Sequence, residues 1–224
     1  MQTLVELQRA GDAPSEAVTI LRQVMTVERR ALHAEAVKEI DRGRFARVRR
    51  TLLAKESAGG VGTPGAATRR EIAAARRVVR RAERLRAAMD SAAGIYLPDR
   101  LHAVRIAVKK LRYALEVARQ MGTFRATRSR SSSKSVRSVS RQLAVLKRTQ
   151  DLLGRMHDFE VLIARTRAVQ TSPRSPDLRL QGELDQLVRW LETECRLLHA
   201  HYMASRGQLV EMCDRIEAMA ARAA

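Results

Sequence analysis

Aromatic residues are scarce in this chain and make up only 3% of its 224 residues. Proteins that bind single-stranded nucleic acid stack the bases on aromatic side chains, so this scarcity argues against that class. Cysteine is also rare, and Cys195 and Cys213 lie in no CxxC or His-flanked pattern. We therefore expect two small core residues, no metal site and no cofactor.

Long apolar segments are missing as well. No stretch approaches the roughly 18 uninterrupted apolar residues of a transmembrane helix. The N-terminal sequence MQTLVELQRAGD contains acidic residues and has no apolar region typical of a signal peptide. The sequence thus predicts a cytoplasmic protein that has no membrane partner.

Positive charge, by contrast, is abundant. Lysine and arginine total 43 against 24 acidic residues, which gives a formal net charge of +19. Such a surface attracts polyanions, namely nucleic acid, polyphosphate or an anionic membrane surface. Nearly all the basic residues are arginine, whose planar guanidinium binds phosphate oxygens in a bidentate manner. A GC-rich genome also enriches proteins in arginine, so the arginine content alone does not show that this protein binds a polyanion.

Helical periodicity runs along the whole chain, and no strand alternation competes with it. The fold class predicted is all-α, a bundle of long antiparallel helices. The periodicity and the Gly and Pro positions predict helices at about 3–10, 14–42, 44–55, 69–91, 98–121, 139–169 and 177–218.

The domain organisation follows from composition. Residues 57–68, rich in Gly and Ala, are predicted to be a flexible linker. This linker separates a partial N-terminal helical half, residues 1–56, from a C-terminal helical half, residues 69–224. A Ser/Arg-rich stretch at 123–138 is predicted to be a mobile loop within the second half.

One predicted helix carries a row of cationic side chains. In LHAVRIAVKKLRYALEVARQMG, the apolar positions that begin with Leu101 face the core. The neighbouring arc of about 80° holds His102, Arg105, Lys109 and Arg112, at spacing i, i+3, i+7, i+10. The row is about 15 Å long and can follow a linear chain of phosphates. A solvated helix face is the alternative interpretation; the row's position beside the apolar stripe argues against it.

A second helix has a matching polar stripe. In LKRTQDLLGRMHDFEVL, Lys147, Gln150, Gly154 and His157 share one arc, again at i, i+3, i+7, i+10. A glycine inside a helix costs about 1 kcal/mol relative to alanine, so Gly154 suggests that another helix approaches closely there.

These two segments together resemble the CHAD family, the conserved histidine α-helical domain. LHAVRIAVKKLRYALEV is similar to the family pattern L-H-x-x-R-x-x-x-K-x-L-R-Y-A-L-E, and LKRTQDLLGRMHDFEVL to the pattern Q-D-x-L-G-x-x-H/N-D-x-x-V-L. The resemblance covers about residues 69–169. It implies two pseudo-symmetric four-helix halves around a basic pocket that binds inorganic polyphosphate, and association with polyphosphate granules.

The resemblance also implies a set of ligand-binding residues. By position in the motifs, these are His102, Arg105, Lys109, Arg112, Lys147 and His157. Arg77, Arg81 and Arg84 are added from the basic face of the preceding helix, not from a motif match.

One part of the family pattern is missing. A full member has a first H-x-x-R helix in its N-terminal half, but here His33 is followed three residues later by Ala36. We therefore expect an incomplete first four-helix half, by truncation or by natural reduction. A homodimer would restore a two-sided pocket.

Two other functions are compatible with parts of the sequence. His157-Asp158 resembles the HD dyad of metal-dependent phosphohydrolases, but the next histidine upstream lies in a cationic row that repels metal ions, so we expect no catalytic residues and no enzyme activity. Nucleic-acid binding is the stronger alternative, because the charge permits it and Ser/Arg-rich loops bind RNA. Nonspecific nucleic-acid binding is expected at low salt.

Overall fold

The computed structural model describes residues 15–39, 43, 45–51, 66–123, 132–172 and 177–221. Its helices are α1 (Ser15–Glu39), α2 (Ala66–Ser91), α3 (Pro98–Gln120), α4 (Ser132–Gln170) and α5 (Leu178–Ala221), and residues 45–51 are also helical. No strand occurs in these ranges, which confirms the all-α prediction. In the same ranges, no helix is both long and apolar enough to cross a membrane.

Helix α3 has well-defined ends that the sequence explains. Pro98 begins the helix, where its missing N–H needs no partner, and Asp99 lies in the positively polarised first turn. At the other end Gly122 has a φ of 76°, a conformation that glycine adopts without strain. Its N–H donates to the carbonyl of Arg119, and the N–H of Thr123 donates to that of Ala118. The short connection of residues 92–97 makes α2 and α3 antiparallel neighbours.

The apolar stripes of these helices form a continuous core. The buried side chains of α3 are Leu101, Val104, Val108, Leu111, Leu115 and Ala118, which recur at intervals of three and four residues. Facing helices contribute Leu85, Phe159 and Tyr202, all fully buried. The Phe159 and Trp190 rings pack edge to face with centroids 5.9 Å apart. The core thus fixes the rotation of α3 and determines which side chains face outward.

The chain divides into two compact units whose boundaries differ from the predicted halves. One unit combines the described part of Met1–Ala67 with Arg165–Val188, and the other combines Thr68–Ala164 with Arg189–Ala224. The predicted linker at 57–68 lies at the first boundary. The prediction had assigned 165–188 to the C-terminal half, but contacts with α1 hold this stretch: Glu28 pairs with Arg165 at 3.1 Å, and the Ala17 N–H donates to Glu183 at 3.4 Å.

Helix α4 begins at Ser132, so the loop predicted for 123–138 is shorter than expected. Residues 132–138 contain no glycine or proline, and serine weakens a helix by only about 0.5 kcal/mol per residue. The side chains that follow are anchored, because Ser138 Oγ and Gln142 Nε2 lie 3.6 and 3.3 Å from Met219 Sδ of α5. Low-complexity composition was therefore a poor guide to this end of the helix.

Four further helix predictions agree with the structure to within a few residues, and of the helix predicted at 44–55 the described residues 45–51 are helical. Predicted 14–42 corresponds to Ser15–Glu39, 69–91 to Ala66–Ser91, 98–121 to Pro98–Gln120 and 177–218 to Leu178–Ala221. The predicted helix at 3–10 lies outside the described residues, as does most of the predicted linker. The incompleteness of the first half stays a prediction.

Candidate functional site

His102, Arg105, Lys109 and Arg112, hereafter the α3 ladder, follow one side of α3 next to its buried stripe. His102 and Lys109 are exposed, whereas Arg105 and Arg112 are partly buried. This alternation follows from the helical wheel, because Arg105 and Arg112 lie closest to the core positions. The ladder therefore has two cations near the protein interior and two groups that reach further into solvent.

Helix α4 faces the ladder in an antiparallel register. The rings of His102 and His157 have centroids 4.8 Å apart. A Cβ added at Gly154 would lie 3.9 Å from Nε of Arg105. Three residues forward on α3 thus correspond to three residues back on α4. Continuing this register along the two helices would place Lys109 opposite Gln150 and Arg112 opposite Lys147.

The structure thus brings two polar rows together, the α3 ladder and the row His157, Gly154, Gln150 and Lys147; we call the space between them the α3–α4 cleft. His157 and Gly154 are partly buried and Lys147 is exposed. At 3.9 Å the contact at Gly154 would be ordinary van der Waals distance, so alanine would also fit. Glycine nevertheless leaves space beside the Arg105 guanidinium that a larger side chain would fill.

Both arginines of the ladder keep a buried donor without a partner. Nε of Arg105 and Nε of Arg112 are buried, and neither forms a hydrogen bond within the described residues. Leaving a buried donor unsatisfied costs about 1–3 kcal/mol, and such groups call for a specific explanation. An anion between the two rows would accept from these donors and remove that cost once neighbouring side chains moved aside to admit it, because both atoms are buried.

Arg112 is held by its own helix. Its Nη1 lies 3.3 Å from Glu116 Oε1, and its guanidinium lies 4.8 Å from the centroid of the Tyr113 ring. Lys109 Nζ lies 5.9 Å from the same ring. This i, i+4 ion pair partly neutralises the Arg112 end of the ladder. Glu116 orients Arg112 and also competes with an anion for it.

A carboxylate orients the histidine end of the cleft. His157 Nδ1 lies 3.8 Å from Glu160 Oε2, and the Tyr96 hydroxyl donates to Glu160 Oε1 at 2.6 Å. Burial, followed by the hydrogen bond to Glu160, raises the pKa of Tyr96, so the phenol keeps its proton. Glu160 is thereby fixed between a tyrosine and a histidine. Neither Tyr96 nor Glu160 was identified from the sequence, because this contact joins residues 64 positions apart.

Arg77 and Arg81 do not join the ladder. They line an open groove of about 520 Å³ between α2 and α3, the α2–α3 groove, together with Arg70, Arg80, Lys110 and Tyr113. Its α3 side, represented by Lys110 and Val117, lies more than about 100° around that helix from the middle of the ladder. Arg84 is exposed and does not line this groove. Of the nine residues proposed from the sequence, six thus lie on the two facing rows of α3 and α4, two line the α2–α3 groove, and Arg84 belongs to neither.

The two cysteines behave as core residues, as the sequence indicated. Cys195 and Cys213 are both buried and unpaired. Burial raises the pKa of both thiols, that of Cys213 to about 11. Among the described residues, no group of three or more His, Cys, Asp or Glu side chains is arranged to hold a metal ion.

Comparison with known proteins agrees with the two motifs. The sequence matches the family described as CHAD domain over residues 1–167, a span that includes the whole α3 ladder and the facing row of α4. No curated protein and no solved structure is significantly similar to the chain. Because the match covers well over half of the sequence, the chain belongs to the CHAD domain family.

Proposed function

We propose that this protein binds inorganic polyphosphate in the α3–α4 cleft and does not catalyse its hydrolysis. The observation that carries the proposal is the pair of buried, unpartnered Nε donors of Arg105 and Arg112 on a cationic row. Arg105 Nε lies beside Gly154 of the facing helix, and Arg112 lies two turns further along the same row of α3. Oxygen atoms of a phosphate chain would satisfy both donors with charge-assisted hydrogen bonds.

The dimensions of the cleft suit a linear polyanion better than a single phosphate. From His102 to Arg112 the ladder extends about 15 Å along the helix axis. Lys147 and His157 lie on the facing row at the two ends of this length. Successive phosphates along a chain would each meet one or two side-chain donors, and every internal phosphate carries a negative charge. Affinity is therefore expected to increase with chain length until the cleft is filled.

The absence of catalysis is part of the proposal and rests on the character of the side chains. Phosphoryl-transfer enzymes hold Mg²⁺ with carboxylates next to the phosphates. Glu116 pairs with Arg112 and Glu160 accepts a hydrogen bond from Tyr96, whereas Asp151 and Asp158 occupy exposed positions next to the facing row. Cations and imidazoles neutralise phosphate charge but do not activate a water molecule by themselves. The role proposed is retention of polyphosphate, with association of the protein with polyphosphate granules.

A homodimer belongs to the same proposal. The H-x-x-R pattern occurs once in this sequence, at His102, so one copy of the chain supplies one ladder. A second copy of the chain would supply cationic side chains opposite the first. Light scattering in the presence of polyphosphate would then give twice the monomer mass of 25.1 kDa.

A competition experiment tests the ligand class. The protein is bound to immobilised long-chain polyphosphate at physiological salt and challenged with polyphosphate, duplex DNA and RNA at matched phosphate concentration. We expect free polyphosphate to displace the protein at a concentration at least about tenfold lower than either nucleic acid. Equal displacement by DNA would mean that binding reflects only the net charge of +19, and would favour the nucleic-acid alternative.

A further inference from the structure

The α2–α3 groove has a lining unlike that of the α3–α4 cleft. Its floor consists of the small side chains Ala73, Ala74 and Ala114, which let the two helices leave a depression between them. Val117 and Met121 form one wall and are exposed to 50% and 37%. The groove therefore offers a substantial apolar surface to a ligand, which the ladder does not.

The polar part of the groove carries charge of one sign. Arg77, Arg80, Arg81 and Lys110 line it, and no acidic side chain does so among the described residues. The apolar side chains are unevenly distributed along the groove. Arg81 and Lys110 lie nearer the α2–α3 connection, whereas Ala74 and Val117 lie further from it, since the helices are antiparallel. Cationic side chains thus occur along the whole groove, and the apolar side chains of Val117 and Met121 lie toward the end that is further from the connection.

Tyr113 lies between the cationic side chains and the apolar side chains that line the groove. Its ring lines the groove, is 46% exposed and carries the Arg112 guanidinium 4.8 Å from its centroid. An exposed ring of this kind is a stacking partner for planar aromatic groups. Arg70 also lines the groove near Met121, and an arginine side chain can lie flat on a nucleobase.

Inorganic polyphosphate would leave this apolar surface unused. A ligand that complements the whole groove has a flat, largely apolar group at one end and several phosphates at the other. The volume of about 520 Å³ lies within the range of small-molecule sites. The groove extends over residues 70–81 of α2, which corresponds to about 16 Å. This length accommodates a nucleoside with an extended phosphate chain.

We propose that the α2–α3 groove is a second ligand site, separate from the α3–α4 cleft, and that it binds a nucleoside polyphosphate. The phosphates bind to Arg77, Arg81 and Lys110. The base packs on the alanine floor against Tyr113 and Val117. The proposal goes beyond polyphosphate binding, because its ligand, its helix face and most of its residues differ from those of the cleft.

Calorimetry on the full chain tests this site with ATP, GTP, adenosine and inorganic tripolyphosphate as probes, at physiological salt. We expect ATP or GTP to bind at least about tenfold more tightly than tripolyphosphate, and adenosine to bind weakly, because both parts of the ligand contribute. Equal affinity for ATP and tripolyphosphate would overturn the proposal, since the apolar floor would then play no part. Binding to phosphatidic acid vesicles without binding to either nucleotide would overturn it as well.

Variants separate the two sites. Ala74→Leu fills the floor of the groove without changing charge, and leucine is nearly as good a helix former as alanine. We expect it to weaken ATP binding at least about tenfold and to leave polyphosphate binding unchanged. Arg77→Gln with Arg81→Gln should weaken ATP binding similarly, whereas the matched pair Arg189→Gln with Arg196→Gln, on exposed positions of α5 outside the groove, should not.

Circular dichroism confirms that each variant is folded before its affinity is interpreted. Unchanged ATP affinity in folded Ala74→Leu would overturn the proposed site, whatever the outcome for polyphosphate. Unchanged polyphosphate binding in a folded cleft variant, together with weakened ATP binding in Ala74→Leu, would contradict the cleft proposal alone and leave the groove proposal standing. The two proposals can therefore fail independently.

Discussion

Gly154 provides a sharp test of the α3–α4 cleft, because two substitutions at this position have opposite expected effects. A Cβ there would lie 3.9 Å from Nε of Arg105, an ordinary contact distance, so Gly154→Ala requires no rearrangement. Alanine is favoured over glycine in a helix interior by about 0.8–1 kcal/mol. For a protein of this size, 1 kcal/mol corresponds to a rise in Tm of about 2–4 °C.

Gly154→Leu has a different consequence. The carbons beyond Cβ extend into the space that the Arg105 guanidinium occupies and force it to move. We expect this variant to lose most of the polyphosphate affinity while remaining folded, since Gly154 is only partly buried and the displaced group can turn toward solvent. Gly154→Ala should keep the affinity of the wild type.

Thermal melts followed by circular dichroism measure stability, and binding to immobilised polyphosphate measures affinity. A decrease in Tm for Gly154→Ala would mean that α3 and α4 approach each other too closely at Gly154 to leave room for a methyl group. Full polyphosphate binding by Gly154→Leu would refute the assignment of Arg105 to the binding site.

The other predictions concern histidine and cysteine. Burial lowers the pKa of His199, so the folded state favours the neutral imidazole; its contribution to stability is complete above about pH 6.5 and is lost as the pH falls below that value. Urea unfolding at pH 7.5 and 5.5 should show a smaller loss of stability in His199→Gln than in the wild type, and identical losses would contradict this. Burial raises the pKa of Cys213 to about 11, so about one thiol in a thousand is ionised at pH 8. Iodoacetamide at that pH should label Cys213 and Cys195 only after unfolding, and rapid labelling of the native protein would show that they are accessible.

The fold could be predicted largely from periodicity. The spacing of apolar residues identified α2, α3 and α5, and Pro98 and Gly122 identified the ends of α3. The start of α4 could not be predicted in this way, because serine and arginine are compatible with both a loop and a helix. Contact with Met219, which is distant in sequence, anchors the beginning of that helix.

The candidate site could be predicted in part. A helical wheel placed His102, Arg105, Lys109 and Arg112 in one row, and family resemblance suggested His157 as a neighbour. A helical wheel describes a single helix and carries no information on which helices pack side by side. It therefore could not show which surface the basic side chains of α2 share with α3. For that reason Arg77 and Arg81 were grouped with the ladder, although they line a groove on another side of α3. Lys110 and Tyr113 were overlooked for the same reason.

The most direct test of polyphosphate binding in the cleft compares two double variants of equal charge. Arg105→Gln with Arg112→Gln removes the two buried donors, whereas Arg189→Gln with Arg196→Gln removes two exposed arginines of α5. If each ladder arginine contributes about 1.5 kcal/mol through a charge-assisted hydrogen bond, affinity for polyphosphate falls roughly 100-fold in the first pair. The second pair should change affinity by no more than about threefold at physiological salt. Equal losses in the two pairs would contradict a specific site and show that net charge alone holds the polyanion.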